Sequence, residues 1–269
     1  MFDPAAFLKK LDRCALMAIV NITGDSFSEG SASAPESAVR RALALFEDGA
    51  DILDLGAEST RPGSAPVSAD EECARLLPVL KEVRRLLPAV PLSVDTRHGE
   101  TARRALEAGA DMINDVSMGR DMELLEAVAA AKASLILCHS RSTPDKMQSE
   151  EFTSYPAGVR QEVEKELFSA CAQAIGKGVA KEHIWLDPGI GFAKTALQCR
   201  TLIEESALMT REYPLLWGIS RKSFMGGTVD SRAEETLKLE LQLISSGASV
   251  IRTHDVRALR QKMAEKDRV

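Results

Sequence analysis

The feature that most constrains this chain is a rhythm. Short β-branched runs alternate with longer stretches of helical periodicity along its whole length. Eight runs read as strands: "LMAIVNI", "DILDLGA", "PLSVDT", "DMINDV", "SLILCHS", "HIWLDP", "PLLWGIS" and "SVIRTHD". Their β-branched and aromatic residues, bounded by turn formers, favour that state. Between them, "ESAVRRALALFED", "ADEECARLLPVLKEVRRLL" and "GETARRALEAG" space apolar residues by three and four, as one buried helix face requires. A small signature recurs before three strands, "DGADILD", "AGADMIND" and "SGASVIR". Its glycine closes the preceding helix, and the strand starts two residues later. Such alternation builds a parallel sheet covered by helices. The chain has 269 residues and no compositional break or Pro/Ser-rich linker. The expected architecture is therefore α/β, a (β/α)₈ TIM barrel forming a single domain over residues 1–269. A doubly wound open sheet is the structural alternative, although it seldom carries eight such evenly spaced parallel strands.

The strand ends carry the chemistry. The runs finish in turn on Asn21, Asp54, Asp95, Asn114 with Asp115, His139, Asp187, then Ser220 to Lys222, and finally Arg252, His254 and Asp255. In a barrel these ends converge on one face, where active sites are built. Helix capping accounts for any one Asp or Asn at such a place. It does not account for Lys222 or Arg252, because a cation at a helix start opposes the dipole. Carboxylates and an amide beside separate Lys, Arg and His suit a ligand with two ends. One end would be a polar heterocycle rich in N–H donors, the other an anion. No Gly-x-Gly-x-x-Gly follows the first strand and no Walker A motif occurs, so a dinucleotide or nucleoside triphosphate is disfavoured. Cys138 and His139 do not form a Cys/His pair, because adjacent strand residues point to opposite faces. Cys138 reads as wall packing and His139 as a rim or pocket residue.

Composition removes other classes. The net charge of −6 and the scarcity of Trp and Tyr, two of each, argue against a nucleic-acid partner. No apolar run reaches the roughly 20 residues needed to span a bilayer. The opening "MFDPAAFLKKLDRC" is interrupted by Asp3 and Pro4 and does not read as a signal peptide. Five scattered cysteines with no C-x-x-C make a disulfide framework or zinc cluster unexpected and fit a reducing cytoplasm.

The segments "NITGDSFSEG", "GADILDLGAESTRPGSAPVSADEE", "LSVDT", "AGADMINDVS", "HIWLDPGIGFAKT", "PLLWGISRKSFMG" and "ASVIRTHDV", in this order, resemble the dihydropteroate synthase family. The resemblance implies a (β/α)₈ barrel. It also implies condensation of 6-hydroxymethyl-7,8-dihydropterin pyrophosphate with p-aminobenzoate, giving 7,8-dihydropteroate and pyrophosphate in folate biosynthesis, with sulfonamides as competitors. By similarity, Asp95, Asn114, Asp187 and Lys222 would hold the pterin. Asn21, Arg252 and His254 would hold the pyrophosphate, Asn21 partly through Mg²⁺. Thr60, Arg61, Pro62, Phe192, Lys222 and Ser223 would form the p-aminobenzoate side, and Phe27 would be an apolar lid excluding water. A homodimer is the implied assembly.

The chain departs from the family pattern at Gly24, at "SEGSA", at Ala57, at Ile190 and Ala193, and at "CHSRSTP". None of these removes a charged group named above. Two alternatives share the pattern: a pterin-binding methyltransferase module, and a non-catalytic relative. "ESTRPG" and "SRKS" argue against the first, and the retained Asn21, Asp95, Asn114, Asp187, Lys222 and Arg252 argue against the second.

Overall fold

The computed structural model describes residues 2–22, 34–59, 67–143, 146–228 and 231–266. Every expected strand is present: β1 Ala15–Asn21, β2 Ile52–Gly56, β3 Leu92–Thr96, β4 Met112–Asp115, β5 Ser134–Cys138, β6 Ile184–Asp187, β7 Leu216–Trp217 and β8 Val250–Thr253. All pairings are parallel, in the order β6-β5-β4-β3-β2-β1-β8-β7. A bridge from Leu186 to Leu215, just before β7, joins the two ends of that order. The ring is a barrel and not an open sheet.

The helices are α1 Pro4–Leu11, α2 Ala34–Glu47, α3 Ala69–Leu86, α4 Gly99–Glu107, α5 Met122–Ala131, α6 Val159–Gly176, α7 Ala196–Glu204, α8 Ser231–Ser245 and α9 Val256–Lys266. Local sequence starts and stops them. Ser68 caps α3, whose first turn holds Asp70, Glu71 and Glu72 on the favourable side of the dipole. Thr195 and Gln198 form a reciprocal capping box on α7. The recurrent glycine does end its helix: Gly49, Gly109 and Gly247, past α2, α4 and α8, take φ of 99°, 104° and 87°.

Two apolar layers result. Leu16, Leu53, Val94, Ile113, Leu135 and Ile251 face the helices in a large outer core. Ala15, Met17, Ile52, Met112, Ile136, Trp185, Leu216 and Val250 fill the barrel floor. The N-terminal segment forms α1, with Asp3 as its cap and Pro4 in its first turn. Phe2, Phe7, Leu8 and Leu11 seal the floor from outside. A barrel filled below and sealed underneath leaves the opposite end, where the strands terminate, as the place for a ligand.

Candidate active site

Successive strand residues alternate between the lumen and the helices. One step above the apolar floor, the inward positions are Ile19, Asp54, Asp95, Asn114, Cys138, Asp187, Gly218 and Arg252. Arg252 organises this layer. Its Nε donates to Asp54 Oδ2 at 2.6 Å and its Nη2 to Asp95 Oδ2 at 2.6 Å. Asn114 Nδ2 donates to the same Asp54 oxygen at 3.2 Å. Asp54 is fully buried and Asn114 nearly so. Asp54 Oδ1 and Asn114 Oδ1 have no hydrogen-bond partner among the described residues, so both are available as acceptors in this layer. Burial pushes the Asp95 carboxyl upward against the opposing pull of Arg252, with Asp54 and Glu72 adding to the rise. Burial holds the Arg252 guanidinium down, but the flanking carboxylates raise it above its ordinary value, so it stays charged.

Asp187 is buried and accepts from the Gly189 N–H at 2.7 Å through Oδ1. Burial raises its carboxyl and nearby Lys222 lowers it. Lys222, just past β7, donates to the Ile190 carbonyl, and its ammonium lies 4.6 Å from the centre of the Phe192 ring. Burial lowers the Lys222 amine, and Asp187 opposes that. At the rim, Ser220 Oγ accepts from the His254 N–H at 3.2 Å and lies 3.0 Å from His254 Nδ1. Asn21 is exposed at the end of β1 and Ser223 is exposed after Lys222. A cavity of about 350 Å³ adjoins this mouth, with Val116, Ser117, Phe192, Arg97, Arg120 and Ser140 in its wall.

The structure thus brings Asp95, Asn114, Asp187, Lys222, Arg252 and Phe192 together, and sets Asn21, His254 and Ser223 on the same rim. Phe27, Thr60, Arg61, Pro62 and Gly24 lie outside the described residues. The ends of the 60–66 segment are nonetheless tied. Glu58 accepts from the Val67 N–H at 3.1 Å and receives Arg97 bidentately, at 2.9 Å on each oxygen.

Some strand ends turn the other way. Asp115 faces outward and closes its own turn, accepting from Ser117 N at 2.7 Å and Ser117 Oγ at 2.6 Å. Asp255 immediately precedes α9, whose first bond runs from Leu259 N to Asp255 O. Asp115 thus serves its own turn and Asp255 the start of a helix, and neither points into the lumen layer. Cys138 is corrected from wall packing to the lumen layer, as the register partner of Asp187. Its thiol is pushed well up by burial and is inert. His139 is neither rim nor pocket; it is wholly buried on the helix side, with Nε2 3.0 Å from Glu166 of α6. Ala57 avoids positive φ, so its departure from glycine costs no strain, whereas Ala193 takes φ of 50°.

Sequence reasoning passed over Arg97, Arg120 and Lys194. Arg97 had a usable signal, since "VDTR" places a cation past a strand end as Lys222 is placed.

His139 makes the fold acid-sensitive. Burial, with Lys194 adding, pulls its imidazole from 6.5 down to about 3. The unfolded chain then takes up a proton near pH 6.5 that the folded chain refuses until about pH 3. The stability gained is complete above pH 6.5 and is lost as pH falls through that window. Replacing His139 with Asn is expected to flatten the decline in unfolding free energy between pH 6 and pH 4 by about 1 kcal/mol per pH unit. Urea titrations of both proteins across that range check it.

Residues 17–254 match the model of the family described as pterin binding enzyme. Dihydropteroate synthase of Synechocystis is 41% identical over 258 residues, covering 93% of this chain and 88% of that one. Among solved structures, Xanthomonas albilineans dihydropteroate synthase with 4-aminobenzoic acid superposes with a TM-score of 0.88 at 35% identity, over 96% of this chain and 93% of that one. The Yersinia pestis dihydropteroate synthase in its sulfonamide drug complex gives a TM-score of 0.87 at 32% identity, over 96% and 95%.

Proposed function

The chain belongs to the dihydropteroate synthases, within the pterin binding enzymes, and from that premise we infer how its barrel mouth joins p-aminobenzoate to the pterin of 6-hydroxymethyl-7,8-dihydropterin pyrophosphate. The observation that carries the reading is the inward layer. Asp95, Asn114 and Asp187 come from three strands, and Arg252 and Lys222 stand between and above them. An aminopyrimidine edge presents parallel N–H donors. The buried Asp187 carboxylate and the unpartnered Asn114 oxygen supply acceptors for such an edge. A site built to bond those donors rejects an isostere that lacks them.

In the reaction the bond from the pterin methylene to pyrophosphate oxygen breaks, and a bond to the amine nitrogen of p-aminobenzoate forms. The nitrogen, a secondary ammonium when the bond forms, gives one proton to the released pyrophosphate or to water and becomes the product amine. Positive charge develops on the methylene and spreads into the dihydropterin. Asp95 and Asp187, held in a water-poor layer, favour that charge. Arg252 and His254 would receive the departing anion, with Ser220 fixing the His254 ring. Asn21 offers an exposed amide oxygen on the same rim. That donor fits Mg²⁺, which is commonly held by one or two protein oxygens together with substrate phosphates. Bound there, Mg²⁺ would neutralise charge on the pyrophosphate. Phe192 and Ser223, with Thr60, Arg61 and Pro62, would receive p-aminobenzoate. Phe27 would exclude the water that otherwise converts the intermediate to hydroxymethyl pterin. A homodimer and a cytoplasmic location complete the proposal. The free cysteines, all buried, suit that compartment, and no described helix is long and apolar enough to cross a membrane.

The direct test mixes the purified chain with the pterin pyrophosphate, p-aminobenzoate and Mg²⁺. Dihydropteroate and pyrophosphate should appear in equal amounts; if neither forms, the reading fails. The two substrate sides should also be linked. By the family resemblance, "NITGDSFS" and "ESTRPGSAP" would close over the site; fixing a residue costs about 1–2 kcal/mol, and a small aromatic acid would not offset that alone. Sulfonamide titration is therefore expected to show little binding without pyrophosphate and Mg²⁺ and clear binding with them. Equal affinity in both conditions would mean a preformed pocket.

A further inference from the structure

Lys194 is buried, with 2% of its surface exposed, and takes no part in the mechanism above. A buried ammonium is tolerated only when its N–H groups are met. Here all three are: Nζ lies 2.8 Å from His139 Nδ1, 3.0 Å from the Gly189 carbonyl and 3.0 Å from the Phe192 carbonyl. Two of the three acceptors belong to the turn that links β6 to Lys194 itself. That turn is tightly wound, with φ of 69° at Gly189, 81° at Gly191 and 50° at Ala193. A side chain at Gly189 would meet the His139 carbonyl oxygen at 2.0 Å, so the turn sits directly on the end of β5.

The opposite edge of the same turn faces the site. The Ile190 carbonyl accepts from Lys222, and the Phe192 ring lies against that ammonium. Lys194 therefore ties the turn down through residues 189 and 192, and Lys222 meets it through residues 190 and 192.

The seat under Lys194 is itself fixed. Glu166 is held well below the usual carboxylate range, at about 2; burial opposes this, but bonds from His139 and Arg141 outweigh it. An ionised Glu166 3.0 Å from His139 Nε2 requires a proton on that nitrogen. His139 Nδ1 then presents its lone pair to Lys194. Burial pulls the Lys194 amine down to about 7, and Asp187 pulls it back up. A neutral amine would have two N–H donors for three acceptors, so the imposed tautomer favours the ammonium.

We propose that Lys194, seated on His139 and Glu166, is a positioning residue: it holds the 189–193 turn in the shape that offers the Ile190 carbonyl and the Phe192 ring to Lys222, and thereby aligns Lys222 and p-aminobenzoate with the pterin. The proposal rests on the assignment of the barrel mouth to these substrates. Asp95 and Asn114 stand on their own strands, so loosening the turn should leave much of the pterin grip in place.

The test compares the wild-type protein with Lys194→Met, which is similar in length and lacks the donors. The p-aminobenzoate KM should rise at least about tenfold and kcat should fall by a similar factor, near a hundredfold in kcat/KM, the scale of a misplacement of about 1 Å. Calorimetric affinity for the pterin pyrophosphate should change less than about fivefold. A variant that only unfolds loses active fraction, lowering kcat at an unchanged KM. A p-aminobenzoate KM within about twofold of wild type in folded protein therefore overturns the proposal. Amide hydrogen exchange gives a readout independent of the reaction: residues 189–193 should exchange at least about tenfold faster in the variant while β6 is unchanged. Unchanged exchange in the turn also overturns it. If wild type forms no dihydropteroate yet the turn exchanges faster in the variant, the substrate assignment fails and the tether stands. Should Lys194→Met not fold, Glu166→Gln, which frees the His139 tautomer, must give the same KM rise at smaller amplitude.

Discussion

Arg252→Ala is expected to abolish dihydropteroate formation and also to unfold at a temperature lower by on the order of 10 °C. Sequence alone suggests only the first effect, because a cation past a strand end reads as a ligand-binding group. The structure adds the second. Arg252 is the sole described partner of the buried pair Asp54 and Asp95, apart from the Asn114 amide on Asp54. Removing one member of a buried ion network leaves the remaining charges unpaired, at a cost of roughly 3–5 kcal/mol. In a protein of this size each kcal/mol moves the Tm by about 2–4 °C. Lys222→Ala separates the two roles. Lys222 is half-buried and bonds one carbonyl, so its loss should stop turnover while the Tm falls by no more than about 3 °C. Calorimetry and a pyrophosphate-release assay on both variants decide the matter. A normal Tm for Arg252→Ala would show that the lumen layer does not need the cation, and near-normal turnover in either variant would remove it from the site.

Asp187→Asn should weaken binding of the pterin pyrophosphate by at least about thirtyfold with little change in stability. The asparagine carbonyl can still accept from the Gly189 N–H that Asp187 Oδ1 now receives. The other oxygen is replaced by an NH₂ that would face the donors of the pterin. Losing one partner of a buried charge-assisted pair costs roughly 2–5 kcal/mol. Burial already disfavours the Asp187 carboxylate, so neutralising it removes a desolvation cost that offsets its lost attraction to Lys222. Isothermal titration of both proteins with the pterin pyrophosphate is the measurement. An affinity within about threefold of wild type would place the pterin elsewhere.

Much of this protein was legible locally. Short β-branched runs placed all eight strands, and apolar residues spaced by three and four placed α2, α3 and α4 between them, because burial of one helix face demands that repeat whatever the partner. The glycine in "DGADILD", "AGADMIND" and "SGASVIR" marked three helix ends, because glycine takes positive φ without the steric cost that a Cβ brings. The strand ends listed the chemical inventory of the site, and resemblance to a family assigned roles within it. The first eleven residues were harder: α1 becomes intelligible only against the floor residues it seals.

What tertiary structure decided was direction and partnership. Asp95 and Asp115, Cys138 and His139, all near strand ends, divide between lumen and helix side according to strand parity, and parity is fixed by the register of the closed ring. Arg252 meets Asp54 across 198 residues, and Lys194 meets His139 across 55. No local pattern carries such pairings, because they arise only when closure of the barrel brings distant strand ends within hydrogen-bond reach. The displaced acidities of His139, Glu166 and Lys194 follow for the same reason: each depends on the solvent that folding removes and on the charges that folding supplies in its place.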